Sequence, residues 1–237
     1  MRADQLLVER GLAVSREQAR ALLLAGEVFS GSQRIERSGQ QIRADTPLRV
    51  RERPRFVGRG GEKLAGAIAA FGLEVRGLVA LDVGASTGGF IDCLLQAGAS
   101  RVYGVDVGHG QLAAKLRDDS RVVSMEGVNA REPFPLPEPV DLVVADVSFI
   151  SLRLVLPAAL AHLRAGGRAL VLVKPQFEAG REQVGRGGVV RDAAVHAQVV
   201  GGLCLWAIEQ GLRLEGVRPS PIEGGEGNRE FFALLRV

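Results

Sequence analysis

The chain has 237 residues, 46% hydrophobic and 24% charged, with a formal net charge of +3. That composition is globular rather than disordered, and it predicts one ordinary domain plus a small one. No apolar run reaches the roughly 18 residues a membrane-spanning helix needs. Met1-Arg2-Ala3-Asp4 opens straight into a helical pattern without a signal peptide. A cytoplasmic protein with no membrane partner is expected. The net charge conceals an asymmetry: residues 1–59 hold 12 arginines against 7 acids, whereas residues 60–237 hold 18 basic against 20 acidic groups. A basic N-terminal segment predicts a polyanionic partner. Cys93 and Cys204 are isolated, which suits a reducing compartment, and His109, His162 and His196 lack ligand spacing, so no structural metal is expected. Against 27 arginines stand only Lys63, Lys115 and Lys174. A guanidinium stays charged in a protein, while a buried ammonium can give up its proton. A lysine kept in such a chain therefore marks a position of chemical interest. Lys63 and Lys174 fall in motifs; Lys115 reads as an exposed helix residue.

Two helical patterns come first. One carries Leu6, Leu7, Leu12 and Val14, with Gly11 as its stop; the other starts at the N-cap Ser15, aligns Ala19, Leu22 and Leu23, and stops at Gly26. Short strands follow at Val28-Phe29, Gln41-Ile42 and Leu48-Arg49-Val50, with a turn at Gly31-Ser32. This ααβ unit, residues 1–50, is too small to bury much surface alone and should dock on a neighbour or a ligand. Its pattern of Arg2, Asp4, Leu7, Gly11-Leu12, Ser15-Arg16, Ala19, Leu22 and Gly26 resembles the small RNA-binding domain of ribosomal protein S-four, of pseudouridine synthases and of tyrosyl-tRNA synthetases. The resemblance implies that Arg2, Arg16 and Arg20 face RNA. Gly31-Ser32 departs from the Asn-Gly usual in that family.

Residues 51–59 read as an Arg-rich linker. Arg51, Arg53, Arg55 and Arg59 extend an alternation begun at Arg49, and Pro54 biases Arg53 to extended geometry, as suits a segment tracking phosphates. Residues 60–237 then alternate strand and helix. Strands are predicted at Leu78–Val83, Arg101–Val105, Arg121–Ser124, Asp141–Ala145 and Ala169–Val173, with helices at Ile91–Gln96 and Leu152–Leu163 between them. Leu212–Val217 and Phe231–Leu235 add two final strands, the last antiparallel. The fold class is α/β, a doubly wound, Rossmann-like parallel sheet following the small ααβ domain.

The first strand of that sheet runs into Asp82-Val83-Gly84-Ala85-Ser86-Thr87-Gly88-Gly89-Phe90, and Asp106 stands twenty-two residues after Gly84 at the end of the second strand. A glycine-rich strand-to-helix turn lets backbone amides approach a ligand, and an acid at the next strand end can bind ribose hydroxyls. A dinucleotide site would want a second glycine where Ser86 stands. Asp82 before the glycines instead resembles the S-adenosylmethionine (SAM) loop of class I methyltransferases. Gly84, Ala85, Ser86, Gly88, Gly89, Asp106 and the adjoining Val107 are the candidate cofactor residues with Asp82. Ligands bind beyond the carboxyl ends of strands in such sheets. Asp146 and Lys174 end the fourth and fifth strands, Glu230 precedes the antiparallel last one, and Lys63 lies on the helix ahead of the first.

These four residues, in Gly60-Gly61-Glu62-Lys63, Ala145-Asp146-Val147-Ser148-Phe149, Val173-Lys174-Pro175-Gln176-Phe177 and Gly227-Asn228-Arg229-Glu230, closely resemble ribose 2′-O-methyltransferases of the FtsJ type. With the N-terminal domain, the whole chain resembles the TlyA family, whose members carry both a hemolysin label and a ribosomal RNA methyltransferase label. The resemblance implies a catalytic tetrad of Lys63, Asp146, Lys174 and Glu230, an adenine contact at Asn129, and ribosomal RNA in a ribosomal subunit as partner. A cytidine acceptor is implied, and large-subunit RNA is favoured because the chain opens directly on the RNA-binding motif, as the shorter members do. Arg55-Phe56-Val57-Gly58 is the nearest match to the Arg-aromatic linker pattern. A ribose hydroxyl needs a base in reach, and Lys174, with a pKa lowered by burial and by Lys63 beside it, could serve while Asp146 and Glu230 orient the two. The chain lacks the Pro-Pro-aromatic run of exocyclic-amine methylases after Asp146, and neither cysteine is placed to attack a pyrimidine carbon. A membrane-active hemolysin and a non-catalytic ribosome assembly factor are the alternatives.

Overall fold

The computed structural model describes residues 1–51 and 54–237. Arg53, in the middle of the arginine series, lies outside the described residues. The described chain forms two compact units, Met1–Pro54 and Arg55–Val237. Residues 55–59 thus belong to the larger unit, and Phe56 is buried in its core.

In the small unit, α1 (Ala3–Glu9) and α2 (Arg16–Leu24) pack on a three-stranded antiparallel sheet of β1 (Val28–Ser30), β2 (Gln33–Arg34) and β3 (Arg49–Val50), in the order β2-β1-β3. The Ser15 side chain accepts from the Gln18 amide at 3.2 Å, capping α2. The strand expected at Gln41-Ile42 is absent; Gln41 forms only an isolated bridge to Arg2. The partner of β1 is instead Gln33–Arg34, because Gly31, at φ 58°, lets Gly31-Ser32 fold the chain straight back. Val14, expected on the apolar face, is exposed. Ala3, Leu7, Ala19, Leu23, Val28 and Ile35 form the small core.

The large unit is a seven-stranded sheet. Its strands are β4 (Val79–Val83), β5 (Arg101–Asp106), β6 (Val122–Glu126), β7 (Val140–Ala145), β8 (Leu163–Val173), β9 (Arg213–Pro219) and β10 (Phe231–Arg236), in the order β6-β5-β4-β7-β8-β10-β9. All neighbours are parallel except β10, which runs antiparallel to both β8 and β9. The helices are α3 (Gly60–Phe71), α4 (Gly89–Gln96), α5 (Ala114–Arg117), α6 (Leu152–Leu160), α7 (Pro175–Glu178) and α8 (Ala193–Glu209). Side chains alternate along each strand, so the sheet feeds two cores. Leu81, Val143, Val171 and Ala233 face one, with α6 and α8; Ala80, Leu142, Leu170 and Phe232 face the other, with α3 and α4.

The helix expected through Leu163 ends at Leu160, and β8 starts at Leu163. The edge of β7 captures the chain there: the Val140 amide donates to the His162 carbonyl, and Val140 pairs with Leu163. The sheet order reverses at β4, between β5 and β7, which places the loops after β4 and β7 at a topological switch point.

Phe232 is fully buried, with its ring centroid 6.2 Å from that of Phe90, and so ties the antiparallel strand to α4. Phe232→Ala is expected to cost ~3–5 kcal/mol of stability by opening a cavity there, measured as a lower urea midpoint for the large unit.

Candidate active site

The glycine turn after β4 is shaped by close approach. At Gly84, φ is 87° and a Cβ would lie 2.6 Å from the Asp146 carbonyl oxygen, so any side chain would push the ends of β4 and β7 apart. At Gly88, the N-cap of α4, φ is 94° and a Cβ would strike Leu116 and Leu112. Between them Ser86 adopts φ 47°, and its amide donates to the Asp106 carboxylate at 2.8 Å. The Gly108 amide donates to the other Asp106 oxygen at 2.7 Å. This pair of amides locks the carboxylate at the tip of β5.

Two cavities meet at this turn. One, of about 380 Å³, is walled by Gly84, Ser86, Asp106, Val107, Asn129 and Phe149. Apolar Val107 and Val128 stand beside the oriented Asp106 carboxylate, a lining of the kind that fits a nucleoside. The other, of about 200 Å³, is walled by Arg59, Gly60, Ala85, Gly89, Ser148 and Lys174. Both share Gly84, Ser86, Asp146 and Ser148.

The four tetrad candidates resolve into two ion pairs. Lys174 Nζ lies 2.6 Å from Asp146 Oδ1, a charge contact too oblique to count as a hydrogen bond, and donates to Ser148 Oγ at 2.9 Å. Lys63 Nζ donates to Glu230 Oε2 at 2.5 Å, both residues nearly buried. The register of β10 explains the second pair. Phe231 faces Val173, so Glu230 arrives beside the end of β8, where Lys174 stands. Each lysine thus pairs with one carboxylate, Lys174 with Asp146 and Lys63 with Glu230. Lys63 and Glu230 line neither cavity.

Asp82 differs from its expected placement. The strand alternation turns it into the core beneath the glycine turn, fully buried, and neither carboxylate oxygen has a hydrogen-bond partner. Burial first, then the nearby Asp146 and Asp106 carboxylates, push its pKa well above the ordinary value; the amide of Ile91 pulls the other way. It lines neither cavity. In the small unit, Arg2, Arg16 and Arg20 converge on the buried carboxylate of Asp4, at 3.0, 3.2 and 3.4 Å, and hold its pKa far below the ordinary value while staying partly exposed. Arg51 lies over the Phe29 ring at 5.3 Å, with Arg49 at 5.4 Å from the same ring. Arg55 covers Phe56 at 4.7 Å.

Comparison with known proteins bears on the same two units. Residues 56–237 match the FtsJ-like methyltransferase family, and residues 1–46 match the S4 domain. The 16S/23S rRNA (cytidine-2′-O)-methyltransferase TlyA of Mycobacterium tuberculosis is 47% identical across 100% of this chain and 90% of its own length. The chain belongs to the TlyA family. A solved structure from Streptococcus thermophilus that bears a hemolysin name is 45% identical, with a TM-score of 0.75 over 100% of this chain and 88% of that one. The N-methyltransferase NodS of Bradyrhizobium japonicum, solved with S-adenosyl-L-homocysteine, shares the fold alone: 14% identity, TM-score 0.52, over 73% of this chain and 85% of that one.

TlyA membership makes the chain a methyltransferase with a class I sheet. Three features of its site escape sequence reading. Ser148 holds Lys174 through its hydroxyl, which no spacing rule signals. Phe149 is 89% exposed at φ 63°, its ring 4.9 Å from that of Phe177; such strain in a bulky residue clusters at functional sites, but a backbone angle is not written in the residue type. Lys115 is the exposed helix residue expected, on α5, yet its ammonium also meets the buried Asp92 at 2.9 Å.

Asp82 generates a test. A carboxyl with a raised pKa favours the folded state only while protonated. Its contribution is fully present below about pH 4 and is lost as pH rises through the higher folded value. Asp82→Asn stays neutral, so the decline in unfolding free energy as pH rises above about pH 4 is expected to flatten in the variant. An unchanged slope would show that Asp82 is not the group that titrates.

Proposed function

We propose that this chain transfers a methyl group from SAM to the 2′-hydroxyl of a cytidine in ribosomal RNA. The observation that carries the reading is the Lys174 amine, held between Asp146 and Ser148 in a cavity that adjoins the nucleoside-shaped one across the glycine turn. The TlyA relative's own name supports the acceptor and the base. SAM supplies an electrophilic methyl on a sulfonium.

The chain's own residues do the rest. Asp106 orients the cofactor ribose, and the walls at Val107 and Asn129 receive its adenine. Lys174, in its amine form, takes the proton of the acceptor hydroxyl, and Asp146 and Ser148 fix the direction of that amine. The Lys63–Glu230 pair anchors α3 and the start of β10 around it. Holding the hydroxyl in line with the methyl supplies much of the remaining rate. The exposed edges of Arg2, Arg16 and Arg20 grip RNA phosphates. The hemolysin label on relatives has no counterpart in a membrane-crossing segment, since no helix among the described residues is long and apolar enough.

Two outcomes test this. Lys174→Arg keeps the charge but cannot accept a proton. Single-turnover methyl transfer to ribosomal RNA is expected to fall about 10²–10⁴-fold, with SAM affinity unchanged in calorimetry. Near-normal transfer would reduce the lysine to an electrostatic role. Arg16→Ala combined with Arg20→Ala is expected to lower the slope of log affinity against log salt by about two and to leave SAM binding intact. An unaltered slope would assign those arginines to folding alone.

A further inference from the structure

The third lysine leads to a site outside the tetrad. Asp92, in the first turn of α4, is only 4% exposed, yet its carboxylate is fully engaged. Oδ2 accepts the Val57 amide at 2.8 Å and meets Lys115 Nζ at 2.9 Å; Oδ1 accepts from Gln96 at 3.0 Å. Gln96 also donates to the Arg55 carbonyl at 3.0 Å. Burial raises the carboxyl pKa, but Gln96, Lys115 and Val57 together hold it below its ordinary range. Two side chains thus bind the backbone of residues 55–57 to the outer face of α4.

The next residues, Gly58-Arg59-Gly60, wall the cavity that holds Lys174 and adjoins the nucleoside-shaped one across the glycine turn. A Cβ on Gly58 would lie 2.9 Å from Thr87 Oγ1, and one on Gly89 would lie 3.3 Å from the Gly58 carbonyl. The segment therefore rests directly on the glycine turn. Arg59 and Gly60 line the cavity with Lys174, and Gly60 approaches the Asp146 carboxylate, at 3.6 Å from a Cβ position. The spacing between this wall and Thr87 has no side chain of its own to set it, because Gly58 and Gly60 contribute none. Besides the start of α3 and the buried Phe56, the anchor one residue upstream holds it.

We propose that Asp92, with Lys115 as its counter-ion and Gln96 as its second brace, is a positioning residue that holds the Gly58–Gly60 wall at the width the methyl donor requires. It acts through the Val57 amide and touches neither donor nor acceptor. A carboxylate this buried needs a cation, and among the described residues Lys115 reaches it, at 2.9 Å. This rests on the reading of the cavity pair as a SAM site.

The test uses the full chain and S-adenosyl-L-homocysteine as probe, with calorimetry for affinity and hydrogen exchange for the Val57 amide. Lys115→Met is expected to speed Val57 exchange and to raise the dissociation constant, each by about tenfold, the scale of one charge-assisted bond. Lys115→Arg should restore both, since a guanidinium reaches the same carboxylate from a half-exposed position. Asp92→Asn should match Lys115→Met, and the double variant should lose no more than either alone, because both act through one link. Wild-type affinity and exchange in Lys115→Met, or additive losses in the double variant, would overturn the proposal. So would equal acceleration of the core amides of β4, which would mean general loosening rather than a released wall. If the wild-type chain itself fails to bind the probe, the SAM reading falls, and Val57 exchange alone still decides whether Asp92 holds the segment.

Discussion

Gly84 is where the large unit's architecture becomes a site. The carboxyl ends of β4 and β7 come so close there that the Asp146 carbonyl oxygen occupies the space a side chain would need. That approach is possible only for glycine at positive φ. It brings Asp146 and Ser148, at the end of one strand, against Ser86 and the amide turn at the end of the other. Both cavities share those residues.

The second constraint is charge balance in a dry place. Lys63 and Lys174 are nearly buried, and each meets one carboxylate. Burying an ion is tolerable only when it is paired and hydrogen-bonded, so the pairs must be delivered together by the fold. The antiparallel β10 does this. A parallel last strand would present its other end, and Glu230 would lie far from Lys63. Arginine fills nearly every other basic position in the chain. A lysine ends as a compact ammonium that a single carboxylate oxygen can meet, and all three lysines are used in that way, Lys115 included.

The small unit applies the reverse arrangement: one buried carboxylate, Asp4, gathers three guanidinium groups. The carboxylate is satisfied by their inner faces, while their outer parts stay partly exposed. A net positive patch thereby has fixed geometry, rather than resting on long, freely rotating side chains.

Much of this was legible in the residues. Alternation of apolar runs with helical periods determined the doubly wound sheet; Asp82 through Phe90 determined the turn; Lys174 and Asp146 followed from strand ends, since ligands collect there by topology. The antiparallel last strand was read from Phe231–Leu235, and Glu230 with it. Other features depend on long-range neighbours that no local pattern encodes. Gln33–Arg34 displaced Gln41-Ile42 as a strand because hairpin geometry outweighs apolar character. Leu163 left its helix because the edge of β7 offered hydrogen bonds. Asp82 faces the core rather than a cavity because pleating, not residue type, decides its side of the sheet. Lys115 stays exposed on its helix, but its partner Asp92 belongs to a different helix. The sequence by itself determined which groups sit at the ends of which strands. Only the tertiary structure decided which of those groups meet, because pairing, burial and cavity walls are set by distances between segments far apart in the chain.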